Sequence, residues 1–356
     1  MIKKTTSETT NQMMVTKKIY NSLFLRLLLC ISLFSSTVFS APDVLFEGYH
    51  KVFIGKQHVG YTITRYEFDP KDKKFFCTIF VKFGALAGNV MESVKAVSDQ
   101  NLVPISYEYT TLVTENNKPV TKNIQASFKL NKLTKKERDK IQKTLKKGET
   151  APTEVLKMTA NVNENGKITK HIDDLPKGTF LSYFLVYLML KSKSGIQTDS
   201  RYQYEAIAEE KPKLVEGVAI VRNEEDFMGV KTYKIENTFN NQKFISYVTD
   251  KGHVIGVVNP SQSVETELVG KPAQAVGEFN LPTTVLKSLF GDVPLGVTNI
   301  VSAKLQADAL KPVTEPAGSK QYGAPAGKGI QTKIPEPTVE TIQKPIPNPT
   351  EKVKGK

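Results

Sequence analysis

Short stretches of alternating apolar and polar residues recur along the chain from Val44 onward. Within 103–110 the odd-numbered residues are apolar or aromatic, and within 124–130 the even-numbered residues are. A period of two places successive side chains on opposite faces of a strand, so each stretch predicts a β-strand with one buried and one wet face. Further strands are predicted at 49–54, 59–68, 74–83, 90–98, 155–162, 167–172, 202–208, 214–222, 230–239, 243–249 and 253–258.

Residues that tolerate a positive φ stand between several of these predicted strands. Asn165-Gly166, Asn240-Asn241 and 250–252 are of this kind, and they are typical of tight hairpins. Strands joined by short hairpins run antiparallel to their neighbours. The pattern predicts a mainly β fold, a curved antiparallel meander that is half-barrel or barrel-like, with one buried apolar helix and one lysine-rich surface helix.

The buried helix is predicted at about 179–191, where every residue within 180–190 except Ser182 is apolar or aromatic. A helix that is apolar all round is buried, and at about 1.5 Å per residue this one reaches about 20 Å, too short for a bilayer. It could line a hydrophobic pocket for a lipid or acyl chain, or simply fill the core. The predicted ligand-binding residues are Phe180, Tyr183, Phe184, Tyr187 and Leu188.

The lysine-rich helix is predicted at about 134–147, as an insertion in the β body. Thr134 and Glu137 have the spacing of a capping box, and Gly148 follows as a stop. Its lysines could contact an anionic membrane surface or an envelope protein, or they could form a solvated face. The predicted interaction surface consists of Lys135, Lys136, Lys140, Lys143 and Lys147.

The N-terminal 40 residues have the pattern of a secretory signal. Basic residues precede the apolar run 27–34, and small residues then lead to a cleavage site after Ser40. Met13 or Met14 could be the true start, which would leave a conventional short basic region. We therefore expect a periplasmic or secreted protein with a β body at 41–310.

A tail at 311–356 differs sharply in composition from the body. It holds eight of the 19 prolines, and Tyr322 is its one aromatic residue. Such a segment cannot bury enough apolar surface to form a core, so a disordered Pro/Lys-rich tail is predicted.

The formal net charge of +13 is unevenly distributed. Segment 129–147 has nine Lys and Arg against two acidic residues, and 311–356 has eight Lys against four Glu. A nucleic-acid groove combines basic residues with interleaved aromatic ones, and 129–147 has no aromatic residue. The distribution argues against a nucleic-acid partner.

No catalytic motif occurs in the sequence, whether of a serine hydrolase, a zinc peptidase, a P-loop or a dinucleotide fold. After signal cleavage Cys77 is the one remaining cysteine, so no internal disulfide can form. It shares a strand face with apolar neighbours, which favours a buried, inert thiol over a nucleophile. Neither a cofactor nor a metal site is predicted.

Two pairs of polar residues allow a functional and a plainer interpretation. His50 and His58 could face each other across the first hairpin, as part of a zinc site or as ordinary neighbours. Asp173-Asp174 could be a carboxylate pair for acid–base chemistry or calcium, or the turn and helix entry before Leu175. The plainer interpretation is preferred for both pairs.

The first predicted hairpin, 49–61 with the sequence YHKVFIGKQHVGY, resembles that of a loose group of exported bacterial β domains of unknown function. Some of these domains precede transglutaminase-like peptidase domains. The turn and strand at 99–104 and the approach to the apolar helix at 175–176 are similar too, so the resemblance covers about 45–270. It implies a curved antiparallel sheet in the periplasm and carries over no catalytic residue.

These features support two main hypotheses of function. In the first, the chain is a non-catalytic periplasmic binding or carrier module for an apolar or lipid-like ligand. In the alternative, it is an envelope interaction or structural protein that docks through its basic helix and tail. An enzyme with a dispersed site is a third option, and an outer-membrane barrel is disfavoured by scattered charges such as Lys82 and Lys95.

Overall fold

The computed structural model describes residues 41–115, 118–145, 150–309 and 339–341. Most of these residues lie in strands, so the predicted mainly β class is confirmed. The strands are β1 Asp43–Ile54, β2 Gln57–Asp69, β3 Lys74–Phe83, β4 Met91–Asp99, β5 Pro104–Glu115, β6 Lys118–Lys132, β7 Glu154–Glu164, β8 Lys167–Leu175, β9 Phe180–Leu181, β10 Arg201–Ala208, β11 Lys213–Phe227, β12 Val230–Phe239, β13 Gln242–Val248, β14 Val254–Asn259, β15 Val264–Val269 and β16 Val339–Thr341.

The strands form one sheet in the order β16-β10-β11-β12-β13-β14-β15-β1-β2-β3-β4-β5-β6-β7-β8. Within β1 to β8, and again within β10 to β15, every strand pairs antiparallel with its neighbour in the sequence. The predicted hairpin residues serve this arrangement, since Asn165 has φ 51° and Asn240 has φ 51°. The two meanders are joined where β1 pairs antiparallel with β15, with Tyr49 opposite Val269.

This order puts β8 at one edge of the sheet and β10 near the other, although the two strands are close in sequence. The chain between them, residues 176–200, forms the connecting segment. Its strand β9 runs parallel to β10, with Phe180 opposite Ala206 and Leu181 opposite Ile207. β16 also lies parallel to β10, over three residues.

The connecting segment corrects the single buried helix predicted at 179–191. Phe180 and Leu181 belong to β9, a 3₁₀ turn follows at Ser182–Phe184, and the α-helix α2 covers only Leu185–Lys191. The strand forms because residues 180 and 181 reach the open edge of β10, where backbone pairing replaces the first helical turn. Burial of the segment agrees with its apolar sequence, and it packs within the largest hydrophobic cluster.

Hydrophobic clusters cover both faces of the sheet. On β3, Cys77 belongs to the largest cluster, which contains the connecting segment, and Phe80 belongs to a second cluster. Odd and even residues of one strand point to opposite faces. The sheet is therefore packed on both sides in the region of β1 to β3.

The second cluster is closed by residues 271–309, which we call the C-terminal strap. It contains three helices that the alternation pattern did not predict: α3 Pro272–Val276, α4 Thr283–Phe290 and α5 Ile300–Ala309. Tyr49 Oη donates to the Pro294 carbonyl at 2.9 Å and Tyr61 Oη to the Asn280 carbonyl at 2.9 Å. These bonds hold the strap against β1 and β2.

The lysine-rich helix is present as α1, Lys135–Gln142, and is shorter than the predicted 134–147. The predicted capping box is formed: the Thr134 N–H donates to Glu137 Oε2 at 2.7 Å, and the Glu137 N–H to Thr134 Oγ1 at 3.3 Å. Ile141 is its one buried residue, so packing supports about two turns and no more.

The predicted signal sequence and most of the predicted tail lie outside the described residues. Within the described ranges, no helix is both long and apolar enough to cross a membrane.

Candidate functional site

The predicted ligand-binding residues of the connecting segment lie together in the protein interior. Phe180 and Phe184 are fully buried, Tyr187 is buried, and Tyr183 and Leu188 are partly buried against the same cluster. Phe184 and Tyr187 both lie against the Tyr66 ring, at centroid distances of 6.2 and 4.9 Å. The structure thus places this set in the core, beside β2 and β3.

A buried carboxyl group lies next to the connecting segment. Glu209, in the turn after β10, is fully buried. Its Oε2 accepts a hydrogen bond from Ser182 Oγ at 2.6 Å. Burial raises the pKa of Glu209 to about 8, because a charged carboxylate is costly in a poorly solvated site. The side chain is therefore largely neutral at pH 7.

Two buried polar atoms in this region have no hydrogen-bond partner among the described residues. They are Oε1 of Glu209 and the phenol oxygen of Tyr107 on β5. Tyr107 is 1% exposed, and burial together with the charges of Glu209 and Glu210 raises its pKa. Buried polar groups are nearly always hydrogen-bonded, so two such atoms in one region call for an explanation.

A second acid–phenol pair adjoins the first. Tyr109 Oη donates to Glu92 Oε2 at 3.2 Å, and burial raises the pKa of Glu92. Tyr183 connects the two pairs: burial raises its pKa, and the nearby carboxyl groups of Glu209 and Glu92 raise it further. We call the set of Ser182, Tyr183, Tyr107, Tyr109, Glu92 and Glu209 the interior acid–tyrosine cluster.

The cluster offers donors to a bound molecule. Glu209 accepts from Ser182 through Oε2, so a neutral carboxyl can carry its proton on Oε1. The Tyr107 hydroxyl is likewise free to donate. Two neutral donors beside apolar side chains suit an acceptor oxygen attached to an apolar body. An anionic ligand would be repelled by the carboxyl groups of Glu92 and Glu210.

Cys77 is buried, as predicted. Burial raises its pKa far above the ordinary thiol value, which removes the thiolate needed for nucleophilic attack. It lies directly opposite Tyr66 on β2. The thiol is part of the core.

The prediction that His50 and His58 face each other across the first hairpin is wrong. His50 lies opposite Thr62, and His58 opposite Phe53, because the hairpin turns between Ile54 and Gln57, which are paired with each other. His50 Nε2 hydrogen-bonds to the Val254 carbonyl at 3.0 Å. No group of metal-ligating side chains occurs in the described part of the chain.

The preferred interpretation of Asp173-Asp174 as a turn and helix entry is also wrong, because both residues continue β8 to Leu175. Both are exposed, and Asp174 pairs with Lys157 on β7 at 3.7 Å. Strand pairing with β7 extends through this acidic stretch. The two side chains alternate in direction and do not converge on one ligand.

The predicted interaction surface lies on α1 and in the turn that follows it. Lys135, Lys136, Lys140 and Lys143 are exposed, whereas Lys147 lies outside the described residues. The surface is separate in sequence from the interior acid–tyrosine cluster.

An open groove of about 410 Å³ lies between the β11–β12 hairpin and α5. Lys304 Nζ donates across it to the Gly229 carbonyl at 3.0 Å. The groove is lined by Glu224, Gly229, Val230, Lys231, Thr232, Tyr233, Thr249, Asp250, Ile300 and Lys304. Its buried hydroxyls, Thr232 and Thr249, have hydrogen-bond partners, so the groove is the weaker candidate.

Sequence reasoning missed Glu209, Tyr107 and Glu92 as site residues. Glu209 is followed by Glu210, Lys211 and Pro212, which is the composition of an exposed turn. The available signal was Ser182, the one polar residue in an apolar run, because a buried hydroxyl requires a partner.

No protein-family model matches the chain, and no curated protein matches it. A search of solved structures finds similarity to a β-barrel-like protein of domain of unknown function DUF1849 from Brucella abortus. The two share 10% sequence identity with a TM-score of 0.39, over 64% of this chain and 98% of that one.

Proposed function

We propose that the protein is a non-catalytic binding module for an apolar, lipid-like ligand with a neutral acceptor oxygen, such as an acyl ester. The ligand's acyl part packs against the connecting segment, and its carbonyl accepts hydrogen bonds from Glu209 and Tyr107. The module acts outside the cytoplasm, because the predicted signal sequence directs the chain to export.

The observation that carries this proposal is the pair of buried atoms, Glu209 Oε1 and Tyr107 Oη, that have no hydrogen-bond partner in the part of the chain that the structure describes. Leaving a buried donor unsatisfied costs about 1–3 kcal/mol. A ligand that hydrogen-bonds to both atoms and lies against the apolar surface beside them would remove both of these costs. Binding would therefore be favoured by the free energy that the two unsatisfied groups cost the unliganded protein.

Entry of the ligand requires movement of the connecting segment. Its strand pairing is short, since β9 matches β10 at only two positions, and its other polar contacts include Lys191 Nζ to the Gln100 carbonyl at 2.5 Å. Because the segment joins the two sheet edges, its displacement opens the interior without breaking either meander.

The direct test is native mass spectrometry and organic extraction of the protein purified without detergent from cells that export it. We expect an adduct whose extract contains an acyl lipid. Tyr107→Phe and Glu209→Met each remove one donor and should each lower the retained lipid about tenfold, since one hydrogen bond is worth about 1–1.5 kcal/mol. Tyr247→Phe, whose ring stacks on Phe227 away from the cluster, is the matched control.

An extract free of lipid, together with no binding of added acyl-ester lipid, would overturn the proposal. Retention that falls equally in all three variants would also contradict it, because the loss would not depend on the cluster.

A second candidate function rests on the four exposed lysines of the predicted interaction surface. They form no ion pair within the described residues, and near an anionic surface each could contribute about 1 kcal/mol. Replacing Lys135, Lys136, Lys140 and Lys143 with Gln should then abolish sedimentation with anionic phospholipid vesicles. Sedimentation that the replacement leaves unchanged would exclude this role for α1.

A further inference from the structure

The strand β8 is an edge of the sheet that faces solvent on both sides. It pairs with β7 through residues 167–175, and no other described strand pairs with it. Residues 167–174 are all exposed, including Ile168 at 69% and Ile172 at 55%. An exposed edge strand presents unpaired N–H and C=O groups to any strand that fits.

The charges along this edge are ordered. Lys167 and Lys170 lie in its first half, and Asp173 and Asp174 in its second half. Asp174 pairs with Lys157, whereas Lys167, Lys170 and Asp173 have no ion-pair partner among the described residues. A basic start and an acidic end are complementary to the same strand running in the opposite direction.

A twofold axis normal to the sheet relates two antiparallel copies of one strand and keeps each face of the sheet on the same side. If that axis passes midway between the Lys170 residues of the two copies, Ile168 of each copy lies opposite Ile172 of the other. Lys167 then lies opposite Asp173, also twice. Directly opposed residues share one face of a sheet, so the isoleucines meet on one face and the ion pairs on the other.

We propose that two copies of this chain pair antiparallel through β8 to form one continuous sheet. The two Lys170 residues lie opposite each other across the twofold axis. The pairing satisfies the edge's backbone groups and covers its two exposed isoleucines. It is independent of the ligand proposed for the interior.

Lysine on an edge strand often blocks such pairing. Here Lys167 is matched by Asp173 across the axis, so it favours this register and disfavours others. Only Lys170 faces a like charge, and its ammonium can extend into solvent. A shift of the axis by one residue would place Ile168 opposite Asp174 and lose both apolar contacts.

Single cysteines test the register directly. Lys170→Cys places two thiols opposite each other on the axis, so mild oxidation should produce a disulfide-linked dimer. Lys167→Cys is the matched control: the two Lys167 positions are offset by six residues, about 20 Å along the strands, so little dimer should form. The buried thiol of Cys77 does not interfere.

Charge exchange tests the interface without a covalent bond. In sedimentation equilibrium, Asp173→Lys should raise the dimer dissociation constant about tenfold, because it puts a lysine opposite Lys167 in both copies. The double variant Lys167→Asp with Asp173→Lys should restore it. A monomer at all concentrations, or a dimer with equal cross-linking at 170 and 167, would overturn the proposal.

Discussion

Arg65 on β2 donates a hydrogen bond from Nη2 to Oδ1 of Asp292 in the C-terminal strap, at 2.7 Å. The same guanidinium donates from Nε to Oε2 of Glu47 at 2.6 Å. Both side chains of the Arg65–Glu47 pair are nearly fully buried, whereas that of Asp292 is 64% exposed. Glu47 also accepts from the Gly296 N–H. One guanidinium therefore links the sheet to the strap.

Arg65→Met should destabilise the protein by about 3–5 kcal/mol, because it leaves the Glu47 carboxylate buried without its cation. Asp292→Asn should cost about 1 kcal/mol or less, since the lost pair is largely exposed. Urea unfolding followed by circular dichroism measures both. Equal losses in the two variants would contradict the assignment of the buried pair as the main link.

The pKa of Glu209 makes stability depend on pH in the neutral range. Burial raises that pKa from its ordinary value of 4.5 to about 8, so between these values the folded state holds a proton that the unfolded state has lost. The stabilisation is complete below pH 4.5 and is lost as the pH rises through 8, by about 1.4 kcal/mol per pH unit. Urea titrations from pH 5.5 to 7 should show this slope, because there the folded state keeps the proton and the unfolded state has lost it.

Glu209→Gln is the control for this slope, because the amide is neutral at every pH and preserves the side-chain volume. Its free energy of unfolding should change less than that of the wild type across the same range. Parallel slopes in the two proteins would show that another group is responsible.

Removal of the unpartnered phenol should leave the fold as stable or more stable. Tyr107→Phe deletes a buried hydroxyl without a partner among the described residues, and should change the free energy of unfolding by about 0 to +1 kcal/mol. Ser182→Ala deletes the donor to Glu209 and should lower it by about 1 kcal/mol. Thermal unfolding measures the difference, and a Tyr107→Phe protein less stable than Ser182→Ala would contradict it.

His50 should destabilise the protein in acid. Its burial lowers its pKa from 6.5 to about 4, so the unfolded chain binds a proton that the folded protein does not. The stabilisation is present above pH 6.5 and is lost as the pH falls through 4. His50→Gln should flatten the acid limb of a urea titration relative to the wild type, and an unchanged limb would assign it to other groups.

The sheet was largely predictable because alternation with a period of two is a local property. The strands from 49–54 to 253–258 all appear near their predicted positions, and Cys77 is buried as its strand face indicated. The C-terminal strap was missed because its helices are short and their apolar residues follow no long period. Its attachment depends on Arg65, more than 200 residues earlier in the chain.

The candidate site was predictable in one half only. The apolar residues at 180–190 indicated burial. No local pattern distinguishes side chains that line a ligand pocket from side chains that fill the core. The polar half depends on Glu209, whose neighbours are typical of a solvated turn. Its burial follows from where β10 ends relative to the connecting segment, which is a tertiary property.

The pairing of β1 with β15 has a consequence for how the protein folds. Each meander can zip up from local hairpins, which form quickly. The seam between them joins Tyr49 to Val269 and must close a loop of more than 200 residues, a slow and entropically costly step. Until residue 269 of a nascent chain has been synthesised, β1 therefore exposes the edge that later pairs with β15, while its other edge is already paired with β2.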